Sequence, residues 1–280
     1  MANETRTLVV AGASSGIGRS IVERQLDAGM RVIGIARDFS SGPDRGESFV
    51  PIELDLANLE TAADRLSALS RKYPEVTGII CSAGRGRFGS LEEFSYADIR
   101  SLMDLNFTSQ AYVIRAFLPN LKRNGRGDII IIGSEAALTG GARGAVYSAS
   151  KSALRALAKS LRAEGAASGV RVTIINPGMV RTDFFETLDF EPGPDPDNFI
   201  EPEDVARAVG SALDTRTGTV VDEINLSPLK KVIRKKNPRV LVAVRFRPDR
   251  CARSSATSID GNIPIPLDDA HLIIHYDEAA

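Results

Sequence analysis

Histidine and cysteine are scarce in this 280-residue chain, two of each, and no apolar run is long enough to span a bilayer. Both histidines, His271 and His275, stand near the C-terminus. The main body therefore lacks the imidazoles that a zinc-type metal centre or a serine–histidine triad would use. The two histidines lie in an isoleucine-rich, extended-looking segment, which would not bring positions four apart together as a helix would, so no metal is expected there either. Cys81 and Cys251 are too few for a disulfide framework. The N-terminus lacks the basic start and long apolar core of a secretory signal, so a cytoplasmic location is expected. A net charge of -1 offers no general field for nucleic acid or an anionic membrane, and neither is expected as a partner.

What is present is a globular composition, 43% hydrophobic and 25% charged. The length suits one large α/β domain, or a domain with an appendage. Thr7 to Ala11 is a β-branched apolar run leading into Gly12-Ala13-Ser14-Ser15-Gly16-Ile17-Gly18, after which Ile17, Ile21, Val22 and Leu26 recur at helical spacing up to Gly29. The order strand, glycine loop, helix is the one that brings a pyrophosphate against backbone and presents unpaired N–H groups to it. The spacing is G-x-x-x-G-x-G, and the same glycines could also serve only to shape a tight connection.

Further strands are expected at Arg31 to Ala36, Val50 to Asp55, Gly78 to Cys81, Ile129 to Ile132, Val170 to Ile175 and Thr219 to Leu226. Helical patterns separate them, including Ala62 to Leu69, a long one from about Ala97 to Leu118 ending at Pro119, and one from Tyr147 to about Ala167. This alternation predicts right-handed βαβ crossovers. The fold class is α/β, a Rossmann-like doubly wound parallel sheet of about seven strands with helices on both faces. No solenoid-type repeat interrupts it. The position ending the second strand is Ala36, followed by Arg37, where an acidic residue would have met ribose hydroxyls. A guanidinium can clamp a 2'-phosphate, which favours NADP(H) over NAD(H), with Arg19 as a possible second contact. An ordinary solvated arginine next to Asp38 is the other reading.

The chemistry concentrates between Ser134 and Lys151. Tyr147 and Lys151 form Tyr-x-x-x-Lys, which stacks phenol and ammonium on one helix face, and Ser134 precedes Tyr147 by thirteen residues at the exit of a strand. A free tyrosine titrates near pH ~10, and a nearby cation would favour its ionisation. Alone, such a pair more often means a packed tyrosine beside a solvated lysine.

Taken in order, these residues resemble the short-chain dehydrogenase/reductase family over about Arg6 to Leu229. Gly12, Gly16 and Gly18 match its glycine signature, with Ala11 where threonine is usual. Asp55 and Leu56 match its adenine-contacting pair. Ser82-Ala83-Gly84 matches the end of its Asn-Asn-Ala-Gly motif, Cys81 and Ser82 replacing the asparagines. Asn106, Ser134, Tyr147 and Lys151 match its catalytic tetrad, and Pro177-Gly178 with Thr182 matches the segment that holds nicotinamide.

The resemblance implies that Tyr147 exchanges a proton with the substrate oxygen, Ser134 hydrogen-bonds that oxygen, and Lys151 lowers the phenol's pKa while holding the ribose. It gives Asn106 the anchoring of a water in the proton relay. It implies cofactor contacts from Gly12, Ser14, Ser15, Gly16, Ile17, Gly18, Arg37, Asp55, Leu56, Ala83, Gly84, Tyr147, Lys151, Pro177, Gly178 and Thr182, and a homodimer or homotetramer. The function expected is an NADP(H)-dependent oxidoreductase acting on a small or medium carbonyl or secondary alcohol. A non-catalytic NADP(H)-binding regulatory or scaffold protein, using its C-terminal extension on a partner, is the alternative. A dehydratase or epimerase is disfavoured by the short substrate region.

Substrate selection is expected between Thr182 and Pro202, where Phe184, Phe185, Leu188 and Phe190 either form a lid or pack on the domain. Glu135, Arg143, Arg85 and Arg87 either border the site, where arginine would suit an acidic substrate, or are surface charge. Leu229 to Arg239 carries six basic residues around Leu229, Val232 and Ile233, a pattern expected to form a solvated terminal helix. The division expected is a catalytic domain at 1–237 and an extension at 238–280, with a strand from Arg239 to Arg247 and a loop from Arg250 to Asn262.

Overall fold

The computed structural model describes residues 6–40 and 46–236. The strand expected from Arg239 to Arg247, the loop from Arg250 to Asn262 and the histidine segment lie outside them. Seven parallel strands form one sheet in the order β3-β2-β1-β4-β5-β6-β8. They are β1 (Thr7–Ala11), β2 (Arg31–Ala36), β3 (Phe49–Glu53), β4 (Val76–Cys81), β5 (Gly127–Ile132), β6 (Val170–Pro177) and β8 (Glu223–Leu226). Strand order reverses between β1 and β4, so the carboxyl ends of these two strands flank a crevice.

The strands are apolar throughout because both faces are covered. Val9, Ala11, Ile33, Ile35, Ile79, Ile129, Ile131, Val172 and Ile174 point to one face, against α2 (Leu59–Lys72), α4 (Ser109–Arg123) and α5 (Ala145–Gly165). Their neighbours Leu8, Val10, Val32, Ile80, Ile130, Ile132 and Ile175 point to the other, against α1 (Gly16–Asp27) and α6 (Pro202–Asp214). The period of two thus feeds two cores, and each fully buried Leu or Ile contributes roughly 1.5–3 kcal/mol of apolar transfer.

Four expectations need correction. The helix drawn from Ala97 to Leu118 is divided: α3 (Tyr96–Met103) runs into a π-helical turn, Asp104–Thr108, and only then into α4. Pro119 does not end α4 but lies inside it. The turn beyond the proline is held by buried Leu121 and by Asn120, whose Nδ2 donates to the Ser70 carbonyl at 2.8 Å. The last strand of the main sheet is shorter than Thr219 to Leu226, because only Glu223 to Leu226 pair with β6.

The basic stretch is extended over its described part, not helical. Ile233–Lys235 forms β9, which pairs antiparallel with β7 (Phe190–Pro192). Acidic partners explain the change: Lys230 meets Asp197 at 3.0 Å, Lys231 meets Glu135 at 2.8 Å, and Arg234 meets Glu191. Among the described residues no helix is long and apolar enough to cross a membrane, and no three His, Cys, Asp or Glu gather as metal ligands.

Candidate active site

Ser134 follows β5, whose residues are all buried, and stands in extended conformation before the short turn Glu135–Ala137, accepting from the Ala136 N–H at 3.2 Å. Tyr147 sits in the first turn of α5 and Lys151 in the next, so the helix delivers both to the carboxyl end of β5. All three are buried. The Ser134 hydroxyl acts on the Tyr147 hydroxyl and favours its ionised form. The Lys151 ammonium donates to the Ile132 carbonyl at 3.2 Å and lies 5.9 Å from the centre of the Tyr147 ring.

The expected depression of the phenol pKa is not found in the protein alone. Burial dominates and pushes Tyr147 up to about 12, against the pull of Ser134, while the Glu135 carboxylate adds to the rise. Burial likewise pulls Lys151 down to about 8. Removing both groups from water disfavours the charged form of each. The hydroxyl is thus held protonated, as a proton donor must be.

Asn106 occupies the π-helical turn and is fully buried. Its Oδ1 accepts from the Arg85 N–H at 2.9 Å, and its Nδ2 donates to the Arg85 carbonyl at 3.0 Å and to Ser150 Oγ at 3.1 Å. The side chain is therefore committed to pinning the segment after β4 onto α5. A Cβ at Gly84 would come within 3.2 Å of Asn106 Oδ1 and 3.6 Å of Lys151 Nζ, which places that segment beside the tetrad.

The glycine loop forms a cradle that side chains would fill. Gly12 has φ +81°, and a Cβ there would meet Ala83 N at 2.7 Å; at Gly18 it would meet the Gly12 carbonyl oxygen at 1.9 Å. A Cβ on Gly16, φ +49°, would touch Thr182 at 3.2 Å, so the loop and the segment after Pro177-Gly178 face each other. Ser14 is half-buried, and the Ile17 side chain packs on the core. Ser15 caps α1 with no side-chain hydrogen bond, and the first turn of α1 carries no acid. The missing side-chain cap and the absence of an acid in that turn fit a phosphate.

Arg37 is exposed at the end of β2, while Asp38 beside it is turned onto Ser40. Arg19, by contrast, is paired with Glu23 at 2.9 Å. Asp55 is exposed and accepts from the Ala57 N–H, and the Leu56 side chain belongs to the core. The residues of the cradle fit a dinucleotide.

The wall over Tyr147 is aromatic. Phe88 lies 5.0 Å and Phe184 6.0 Å from the Tyr147 ring centre, and Phe190 stands edge-on to Phe88 at 5.0 Å. Leu188 is half-buried and Phe185 buried behind them. Phe88 escaped the sequence reading, since nothing around it marks it out and only the fold carries its loop onto α5. The arginines there are engaged: Arg87 with Asp98 at 2.8 Å, Arg143 with Glu93 at 3.5 Å, and Arg85 with Ser101 at 2.7 Å.

A parallel sheet with a glycine cradle at its switch point, and a serine, tyrosine and lysine at the end of the next strand, defines a dinucleotide-binding α/β protein. The family described as short chain dehydrogenase matches residues 6–192, and the chain belongs to that family. It is an oxidoreductase of CH–OH and C=O groups. Retinol dehydrogenase 8 of Bos taurus is 30% identical over 215 residues, covering 70% of this chain and 68% of its own. The alcohol dehydrogenase of the archaeon Thermococcus sibiricus, solved with 5-hydroxy-NADP, is 25% identical with a TM-score of 0.72 over 82% of this chain and 99% of its own. A Burkholderia cenocepacia short chain dehydrogenase, solved with NADP, is 31% identical with a TM-score of 0.68, covering 81% and 90%.

Proposed function

We propose that residues 1–237 form an NADP(H)-dependent catalytic domain that interconverts a small or medium carbonyl compound and its secondary alcohol. One observation carries the reading: a buried Tyr147 hydroxyl, acted on by Ser134 and one helical turn from Lys151, at the same sheet end as a glycine cradle whose helix has no side-chain cap. Gly12, Ser14, Ser15, Gly16, Ile17 and Gly18 would hold the pyrophosphate. Arg37 would hold the 2'-phosphate, and Asp55, the Leu56 main chain, Ala83 and Gly84 the adenosine half. Lys151 and Tyr147 would hold the nicotinamide ribose, with Pro177, Gly178 and Thr182 at the ring. Bound there, the nicotinamide supplies or accepts the hydride.

The chain's own part is position, proton and electrostatics. Ser134 donates to the carbonyl oxygen and Tyr147 gives it a proton; in the reverse direction the phenolate takes the alcohol proton. Asn106 holds the loop that carries Arg85 against α5. The aromatic wall, together with arginines already spent on local partners, supports an apolar carbonyl over an acid.

The test is a panel of carbonyl compounds followed by loss of NADPH absorbance, with Tyr147→Phe beside the native protein. Turnover should fall by roughly 10³-fold or more in the variant while NADPH binding stays within a few-fold. Turnover persisting in Tyr147→Phe would falsify the proton-donor assignment.

A further inference from the structure

The basic segment after β8 reaches back over the candidate site. The Lys236 N–H donates to the Asp189 carbonyl at 2.7 Å, and its ammonium donates to the Phe185 carbonyl. The Gly193 N–H donates to the Val232 carbonyl at 3.0 Å, and the Lys230 N–H to the Asp197 carbonyl at 2.8 Å. Arg234 Nε donates to Glu191 at 3.0 Å. These bonds tie the strap to the segment that bears Phe184, Phe185 and Phe190. Only one described ion pair ties it to the opposite side, where Ser134 and Glu135 leave β5: Lys231 to Glu135, at 2.8 Å. Glu135 is also a carboxylate that acts on the Tyr147 hydroxyl.

We propose that Lys231 is a positioning residue of the acid–base centre: through Glu135 it fixes β9, and with it the aromatic wall, over the Tyr147 hydroxyl, and it neutralises the Glu135 carboxylate next to Ser134. The electrostatic half rests on the function proposed above; the mechanical half does not. Among the described residues, the charged groups shown close to the phenol or acting on it are Lys151 on α5, 5.9 Å from the ring centre, and Glu135 with its partner Lys231. Arg87, on the Phe88 loop, is paired with Asp98, and Arg143 with Glu93.

Two variants break the same pair with opposite electrostatic consequences. Lys231→Met leaves the Glu135 anion uncompensated, which raises the phenol's pKa; Glu135→Gln removes the anion, which lowers it. Hydrogen exchange of the amides between 184 and 193 is measured first on the full chain, without ligand. Exchange should accelerate roughly two- to five-fold in both variants, the scale of an exposed ion pair. Oxidation of the alcohol corresponding to a carbonyl turned over in the panel is then followed along its rising limb from pH 8 to 10, where rate tracks the phenolate fraction.

That limb should move to lower pH in Glu135→Gln and to higher pH in Lys231→Met, changing the rate about two-fold each way. Unchanged exchange in both variants overturns the proposal even if no substrate has been found. Limbs displaced in the same direction overturn it as well, since a purely structural lesion would act alike in the two. Accelerated exchange in a protein with no turnover would uphold the strap and fail only the reaction assigned to the site.

Discussion

The two ends of the seven-stranded sheet are finished in opposite ways. At the amino end, buried Asp128 at the start of β5 bonds Arg6 at 2.5 Å and Arg171 at 2.7 Å, and Arg171 goes on to the Leu213 carbonyl at 3.1 Å and to that of Thr215. Each of these three charges has its partner, and β1, β5, β6 and the end of α6 are joined. At the carboxyl end the N-terminus of α1 has no side-chain cap, Arg37 is exposed, and Lys151 is buried on a single carbonyl. One end holds the sheet together. The other keeps its strong hydrogen-bonding groups in hand for something the chain does not supply.

Three measurements bear on that contrast, beginning with the largest effect. Asp128→Ala should cost about 3–5 kcal/mol in urea unfolding, because two arginines are left with no anion, while NADPH affinity measured on the folded protein stays within two-fold. Matching losses in both would mean that the ends are not independent.

Next comes the pH dependence of stability. The folded pKa of Lys151 lies near 8 and its ordinary value is 10.5, so between these the unfolded chain binds more protons and stability rises with pH. Tyr147 reverses the slope above about pH 10, since its folded pKa is about 12 and the folded state then holds the extra proton. Lys151→Met should abolish the rise from pH 8 to 10, a difference on the order of 2 kcal/mol in the urea midpoint analysis. An unaltered slope would show that the ammonium is solvated. The smallest effect is Arg37→Ala, expected to weaken NADPH about ten-fold and leave NADH unchanged, as ~1.4 kcal/mol of phosphate contact implies. Equal losses for both cofactors, in direct titrations, would refute the clamp.

What could be read in advance was local. The glycine spacing, the strand alternation and Tyr-x-x-x-Lys each act through neighbours within a turn or a strand, and their placement follows once the sheet closes. The misreadings share the opposite character. Lys231 finds Glu135 ninety-six positions away, and β9 is too short and too charged to look like a strand until Glu191, Asp197 and Glu135 are seen around it. The π-helical turn at Asn106 has helix on either side, so periodicity passes over it. The direction of the Tyr147 shift depends on burial by Phe88 and Phe184, a tertiary fact that the proximity of a lysine in sequence does not contain.

The position of the strap in the chain also orders events during synthesis. Residues 7 to 182 already include the cradle, the tetrad and the facing threonine, so the dinucleotide side can assemble while translation continues. The aromatic wall cannot be tied down until residues 230 to 236 have left the ribosome, some fifty positions after Thr182. A nascent chain halted before β9 thus carries the glycine cradle and the tetrad under an untethered roof, and that roof closes only after both are made.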